Sequence, residues 1–313
     1  KWVNVHDYYK LSPLPALHKF PKFAPMTFHE AQQQLSTQLK TIYDAREAAT
    51  ITNWVMEHVT GLTKIDRLVQ KTSHMPAEQL QQLQQYTAAL LTHQPVQYVL
   101  QEAWFDGMKL FVNEHVLIPR PETEELVAWI VHDIQTTHPD FTGTMLDIGT
   151  GSGCIPVALK KRLPSATVIA CDVSERALAV AKQNATTHLT PIAFIAVDFL
   201  NEQSRQQLPS CHILVSNPPY IPKKDMASMH QNVVAFEPHL ALFVEDDDPF
   251  LFYNAIASFA QTHLLPGGMI YVEIHEELGN GVMEVFSAKG LTEVTIRKDM
   301  SGKDRMVRAK KNT

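Results

Sequence analysis

From residue 141 to residue 274, short apolar runs alternate with amphipathic stretches, and this alternation restricts the chain to one kind of architecture. Met145 to Ile148, Thr167 to Ala170, Ile192 to Val197, Ile213 to Val215 and Met269 to Ile274 read as strands. Ile155 to Leu163, Ser174 to His188 and Pro249 to Leu264 read as the helices between them. Strands that alternate with helices build a parallel sheet covered by those helices, so an α/β fold is expected. Ser174 stands where an N-cap is needed, and Glu175 follows in the first turn, where negative charge complements the helix dipole.

Ahead of this half the period is helical. Ala31, Leu35, Leu39 and Ile42 form one stripe, Ile51, Val55, Val59 and Leu62 a second, and Leu83, Tyr86 and Leu90 a third, with Gly61 and Pro76 as punctuation. Residues 26–93 are therefore expected to form a small helical domain, with the run Gln79 to Gln85 on its solvated face. Residues 94–120 turn aromatic and β-branched around Asp106-Gly107, a favoured hairpin dipeptide, and read as a β-hairpin connector to the α/β domain of residues 121–313. Residues 1–25 carry Pro13, Pro15, Pro21 and Pro25 among Trp2, Tyr8 and Tyr9, and read either as a leader or extension or as a docked arm.

Composition removes several classes. The chain has 313 residues, 45% hydrophobic and 19% charged, which is ordinary for a soluble globular protein. Lys and Arg number 27 against 33 Asp and Glu, and the net charge of −6 argues against a partner held mainly through phosphates, so no direct nucleic-acid partner is expected. The three cysteines, Cys154, Cys171 and Cys211, show no CxxC spacing; neither a disulfide framework nor a zinc site is indicated, and a reducing cytoplasm is the expected compartment. No apolar run is long enough to span a bilayer, and no membrane partner is expected. His275 in "EIHEE" lacks the second His of an HExxH motif, so no metal is assigned.

The chemistry-bearing residues fall at strand ends. "LDIGTGSG", Leu146 to Gly153, leaves the first strand of the α/β half, and Gly149, Gly151 and Gly153 permit backbone angles and close ligand approach that a Cβ would block. Such a loop alone also suits a dehydrogenase or a plain tight turn. The next strand ends at Asp172, where a carboxylate can accept both hydroxyls of a ribose. The third ends at Asp198-Phe199, an acceptor for an exocyclic amine beside a ring that can stack on a base. In chain order at consecutive strand ends, these groups point to one nucleoside pocket.

The fourth strand runs into "SNPPY", Ser216 to Tyr220. Its prolines remove two backbone donors and stop the strand, which leaves carbonyls unpaired beside the Asn217 amide. Asn217 Oδ1 and the Pro218 carbonyl suit the two hydrogens of an NH2 group, the Asn217 NH2 suits a carbonyl, and Tyr220 suits a planar group as a wall.

Together, Asp147, Gly149, Thr150, Gly151, Ser152, Gly153, Asp172, Asp198 and Asn217-Pro218-Pro219-Tyr220 resemble the class I S-adenosylmethionine-dependent methyltransferases. "QPVQYVL", "FDGMKLFV", "VLIPRPETEELV", "FEPHLAL" and "KDMSGKDRMV" narrow the resemblance to the protein-(glutamine-N5) methyltransferases of peptide-chain release factors, over roughly residues 27 to 309. It implies a Rossmann-like, mostly parallel seven-stranded sheet with a small helical domain in front. It also implies S-adenosyl-L-methionine as cofactor and S-adenosyl-L-homocysteine as product, bound by Asp147, Gly149 to Gly153, Asp172, Asp198, Phe199 and Asn217. Some members carry Trp at the position of Phe199. Catalysis and glutamine binding fall to Asn217, Pro218, Pro219 and Tyr220. The implied partners are class I release factors, held by the helical domain so that the glutamine of their Gly-Gly-Gln loop reaches the pocket. Arg120, Glu122 and Thr123 read as a helix start behind Pro121, and the resemblance adds that this segment closes over the cofactor.

Other readings stand beside this one. A nucleic-acid adenine could enter the same motif after base flipping, although no basic recognition segment is visible. A glutamine of ribosomal protein L3 would need the same chemistry. A dinucleotide oxidoreductase leaves SNPPY and Asp198-Phe199 unexplained, and a silent cofactor-binding module leaves the intact motif without a use.

Overall fold

The computed structural model describes residues 25–312, and the leader expected over residues 1–25, Trp2, Tyr8 and Tyr9 included, lies outside them apart from Pro25. The chain divides into two compact units, one ending at Ala88 and one beginning at Ala89. Helices α1 (Phe28–Leu39), α2 (Ala45–Thr60), α3 (Lys64–Val69) and most of α4 (Ala77–Leu90) form the first. Thr27 and Glu30 cap α1 reciprocally, each side chain accepting from the other's backbone N–H, at 3.2 and 2.8 Å. One oxygen of Asp44 accepts from the N–H groups of Arg46 and Glu47 at the start of α2, and Gly61 ends that helix in the left-handed conformation. The predicted stripes Ala31, Leu35, Leu39 and Ile51, Val55, Val59 are buried, whereas Ile42 falls in the turn beyond α1 and is half-buried.

The second unit opens with α5 (Val96–Leu100) and the hairpin β1 (Glu102–Phe105) and β2 (Met108–Phe111), paired antiparallel around Asp106-Gly107. Both turn residues have positive φ, +50° and +72°, the two-residue turn whose twist matches that of its strands. There follow α6 (Pro121–Thr137), β3 (Thr144–Ile148), α7 (Cys154–Arg162), β4 (Thr167–Asp172), α8 (Glu175–Thr187), β5 (Ala193–Ala196), α9 (Glu202–Arg205) and β6 (Cys211–Ser216). Then come β7 (Ile221–Pro222), α10 (Gln231–Phe236), β8 (Phe243–Val244), α11 (Leu251–His263), β9 (Leu264–Glu273), α12 (Gly279–Ala288), β10 (Leu291–Lys298) and β11 (Asp304–Lys311).

Seven strands form one sheet in the order β10-β11-β9-β6-β3-β4-β5. The neighbours from β9 to β5 are parallel, and β11 runs antiparallel to both β9 and β10. This is the mostly parallel seven-stranded sheet expected of a class I methyltransferase. The chain order reverses beside β3, with β4 on one side and β6 on the other, so the carboxyl ends of β3, β4 and β6 border the crevice where open α/β sheets bind ligands.

Side-chain alternation sends the strands to two cores. Met145, Ile213, Val215 and Tyr271 pack with Leu126, Val127 and Ile130 of α6 and with α7, while Leu146, Ile148, Leu214, Ile270 and Val272 pack with α11 and α12. Strands β10 and β11 were not among the five read from sequence. Burial along β10 alternates, and a half-exposed, charged strand lacks the continuous apolar run that marks the central ones. Strand β9 starts earlier than expected because it continues through Pro266 to Gly268, where a register shift against Cys211–Ile213 absorbs the irregularity.

The hairpin is bound to the α/β body of its own unit. Arg162 pairs with Asp106. Asn184 of α8 exchanges two hydrogen bonds with the Phe111 backbone, at 2.7 and 2.9 Å, and donates its remaining amide hydrogen to the Ser152 carbonyl at 2.9 Å. One buried side chain thus fixes both the connector and the glycine loop, with its amide hydrogens and carbonyl all paired.

Candidate active site

A cavity of about 370 Å³ opens at the carboxyl ends of β3, β4, β5 and β6. Its wall is completed by the segment from His115 to Arg120, by Thr123 in the first turn of α6, and by Pro238, Leu240 and Ala241.

The loop after β3 is held by main-chain bonds from below. The N–H groups of Gly149 and Thr150 donate to the Cys171 carbonyl at 2.9 and 3.0 Å, and Gly151 N–H donates to Asp172 Oδ2 at 2.9 Å. Gly149 and Gly151 line the cavity at positive φ, and a Cβ built on either would meet nothing within 4 Å. Gly153 does something else. It does not line the cavity, and its Cβ would stand 2.9 Å from the Ala181 Cβ, so this glycine lets α7 start close against α8. The spacing GxGxG names three similar residues; only the packing separates two ligand-facing glycines from one helix-packing glycine.

Asp147 lies outside the cavity wall, 1% exposed, and neither carboxylate oxygen has a hydrogen-bond partner among the described residues. Burial pushes its carboxyl up to about 7; the Thr150 hydroxyl opposes that shift and the Asp172 charge adds to it. The Thr150 hydroxyl is itself buried and without a hydrogen-bond partner, so the two groups lie close without bonding. A buried carboxylate left unpaired is costly, which marks this spot beside the loop as one suited to a donor or a cation.

Asp172 and Asp198 both line the cavity. Asp172 accepts from Gly151 N–H and, through Oδ1, from Ser174 N–H at 2.9 Å, so it ties the glycine loop to the start of α8. Burial raises its carboxyl above the usual range, and the N–H groups of Ser174, Gly151 and Val173 oppose the rise. Asp198 is exposed and accepts from Leu200 N–H at 3.0 Å. Phe199 lines the cavity but is only 5% exposed, packed edge-on to Phe259 at 5.4 Å with the Arg205 guanidinium over its ring. It supplies wall more than an open stacking face. Val173 and Leu240, 50% and 64% exposed, also line the cavity and were not singled out from sequence.

Asn217, Pro218 and Pro219 line the same cavity, and Tyr220 stands behind it. The Ser216 hydroxyl donates to the Ile148 carbonyl at 2.8 Å and pins the end of β6 to the end of β3. Asn217 Nδ2 donates to Thr123 Oγ1 at 3.0 Å, and no described residue donates to Asn217 Oδ1. Thr123 Oγ1 donates to Glu273 Oε2 at 2.6 Å, and the Tyr220 hydroxyl donates to Glu273 Oε1 at 3.0 Å. Burial raises the Glu273 carboxyl, opposed by the Thr123 and Tyr220 hydroxyls and the Arg305 charge; burial beside Glu273 raises the Tyr220 hydroxyl too. One Nδ2 hydrogen expected to face a ligand carbonyl is therefore spent on Thr123. The residues themselves suggest for Thr123 a helix start, to which the resemblance adds a segment closing over the cofactor; neither points to Glu273, because the two are 150 positions apart and their meeting is tertiary.

Among the described residues no helix is long and apolar enough to cross a membrane, and no group of His, Cys, Asp and Glu is arranged to hold a metal ion.

The family described as "Methyltransferase small domain" matches residues 128–238, and that described as "PrmC N-terminal domain" matches residues 30–100. A release factor glutamine methyltransferase of Flavobacterium psychrophilum is 38% identical over 283 residues, covering 90% of this chain and 99% of that protein. One of Bacteroides thetaiotaomicron is 37% identical over 271 residues, covering 87% and 95%. Among solved structures, the release factor-specific protein-(glutamine-N5) methyltransferase of Alicyclobacillus acidocaldarius aligns over 63% of this chain and 95% of that one, at 25% identity and a TM-score of 0.39.

Proposed function

This chain belongs to the release factor glutamine methyltransferase family, and from that premise we propose the reaction it performs. It transfers a methyl group from S-adenosylmethionine to the side-chain amide nitrogen, N5, of the glutamine in the Gly-Gly-Gln motif of class I peptide-chain release factors. One observation carries the reading: Asn217, Pro218 and Pro219 line the same cavity as Gly149, Gly151, Asp172 and Asp198. Groups suited to a nucleoside and groups suited to an amide therefore share one space.

The residues present fit the cofactor. Gly149 and Gly151 leave room at the loop, and Asp172 and Asp198 bring acceptors to the wall. Bound there, S-adenosylmethionine supplies a methyl group carried on a positively charged sulfur. Each Asp172 oxygen accepts one backbone N–H and keeps a lone pair for a ribose hydroxyl. Asp198 takes an exocyclic amine, with Phe199 as wall.

A glutamine amide is a poor nucleophile, because its nitrogen lone pair is delocalised into the carbonyl. The site compensates by orientation. Asn217 Oδ1 and the Pro218 carbonyl accept the two N–H hydrogens, which fixes the amide in line for transfer and favours the positive charge that develops on nitrogen. The prolines bring no competing backbone N–H to this edge. Pro218 and Pro219 wall the amide in, and Tyr220 supports them from behind through its bond to Glu273. Glu273 is no base here: both its oxygens already accept hydroxyl hydrogens, and Asn217 and Thr123 stand between it and the cavity face of the motif. The proton leaves after transfer, to water.

The test is to incubate the protein with labelled S-adenosylmethionine and, separately, a class I release factor, ribosomal protein L3 and DNA, and to locate the label by mass spectrometry. Label on the release-factor glutamine is expected. Label on DNA alone, or on L3 alone, overturns the reading.

A further inference from the structure

Asn217 and Tyr220, the first and last residues of the NPPY motif, are both anchored to one buried carboxylate that lies outside the motif. Glu273 ends β9 and is 1% exposed. Its Oε1 takes the Tyr220 hydroxyl at 3.0 Å, and its Oε2 takes the Thr123 hydroxyl at 2.6 Å. Thr123, 2% exposed in the first turn of α6, then accepts Asn217 Nδ2 at 3.0 Å.

The direction of this chain follows from the donor inventory. An ionised carboxylate only accepts, and a hydroxyl has a single hydrogen, so Thr123, once it donates to Glu273, can only accept from its other neighbour. The group of Asn217 facing Thr123 must then be NH2. Flipping the amide would set Oδ1 against the lone pairs of Thr123 Oγ1 and turn NH2 toward the cavity. Burial raises the Glu273 carboxyl, but the Thr123 and Tyr220 hydroxyls each reach one of its oxygens and Arg305 adds positive charge, and these three oppose the rise and favour the accepting, ionised form.

We propose that Glu273 and Thr123 are positioning residues that set acceptor specificity. They hold the Asn217 amide with Oδ1 toward the substrate, so that the site takes a side chain bearing N–H hydrogens and rejects a carboxylate of the same length. The inference rests on the proposed glutamine methylation and deepens it. It moves the discrimination between glutamine and glutamate from the motif itself to two residues brought to it by α6 and β9. Removing the relay frees the amide to rotate, and a rotated Asn217 offers donors where glutamate offers acceptors.

The test compares wild type, Thr123→Val, Thr123→Ser and Glu273→Gln in the full chain. The readouts are cofactor affinity by calorimetry, kcat and KM on a release factor, and competition by loop peptides carrying Gln or Glu at the acceptor position. Thr123→Val is expected to lower kcat by ~10²-fold, the scale of a misplaced reacting group, with cofactor affinity held within about threefold. Its preference for the Gln over the Glu peptide should shrink by roughly tenfold or more. Thr123→Ser, which keeps the hydroxyl, and Glu273→Gln, which keeps an acceptor for it, should each retain most of the wild-type preference. A fourth readout needs no turnover: the Asn217 side-chain 15N resonance, assigned by its loss in Asn217→Asp, should shift in the Val variant and return in the Ser variant. If Thr123→Val does not fold, Thr123→Ala, which cannot overpack, decides by the same readouts. Unchanged peptide preference and an unmoved Asn217 resonance in the Val or Ala variant overturn the inference, as does a Ser variant as impaired as Val. A wild type that leaves release factor unmethylated sinks the proposed function instead, and the resonance still reports on the relay.

Discussion

Arg120 and Glu237, 117 positions apart, meet as an ion pair at 2.6 Å and join two stretches of the cavity wall. Arg120 belongs to the segment ahead of α6, and Glu237 immediately precedes Pro238, which also lines the cavity. The second Glu237 oxygen accepts Ile118 N–H at 3.1 Å, so a carboxylate only 3% exposed holds both a guanidinium and a main-chain donor of the facing segment.

Glu237→Ala should therefore lower stability by about 1–3 kcal/mol, below the full cost of breaking a buried pair because Arg120 is partly exposed and can be rehydrated. It should also weaken cofactor binding, since the two wall segments lose their tie. Glu237→Gln, which keeps an acceptor for Ile118 N–H, should fall between. Urea unfolding and calorimetric titration of the cofactor check both effects.

Two glycines of the same motif should fail differently. Gly153→Ala places a methyl 2.9 Å from the Ala181 Cβ at a φ of +77°, and should cost roughly 2–4 kcal/mol of stability. Ala181→Gly should recover part of that loss. Gly149→Ala meets open space, so it should cost only the ~1–2 kcal/mol of its left-handed backbone while weakening the cofactor more than Gly153→Ala does. Urea midpoints and cofactor dissociation constants, measured on Gly153→Ala with and without Ala181→Gly and on Gly149→Ala, separate packing from ligand approach.

Asp147 gives stability a defined pH dependence. Its carboxyl is raised from 3.8 to about 7 in the folded protein, so between these values the native state holds a proton that the unfolded state has lost. Stability from this group is fully present below the unfolded pKa and falls as pH rises toward 7, by up to about 1.4 kcal/mol per unit. Asp147→Asn removes that slope. The urea midpoint of the wild type should drop more between pH 5 and pH 8 than that of the variant, measured without cofactor; equal drops would refute the assignment.

Asn217→Ala should leave cofactor affinity within about threefold and reduce methylation by ~10²–10³-fold or more, the scale of losing a positioned hydrogen-bonding group at the reacting atom. Single-turnover labelling on saturating release factor, with calorimetry of the cofactor, reads the two quantities separately.

Much of the fold could be read along the chain. The five neighbouring parallel strands and the helices between them follow from apolar runs and helical periods, which are local and need no partner to be visible. The Asp106-Gly107 turn announced its hairpin for the same reason: both residues had to take positive φ. Strands β10 and β11 were missed because their half-exposed pattern takes its meaning from β9, to which β11 pairs.

The sequence by itself determined the α/β class, the order of acidic and glycine residues at successive strand ends, and the Asn-Pro-Pro-Tyr stop after β6. Tertiary structure decided which of these residues share a cavity, that Gly153 serves helix packing, that Asp147 is left unpaired, and that Glu273 and Thr123 stand behind Asn217. The physical reason is range. Backbone preference and periodicity act over a few neighbouring residues, whereas burial and hydrogen-bond pairing of polar groups are settled only when segments 94 and 150 positions apart pack side by side.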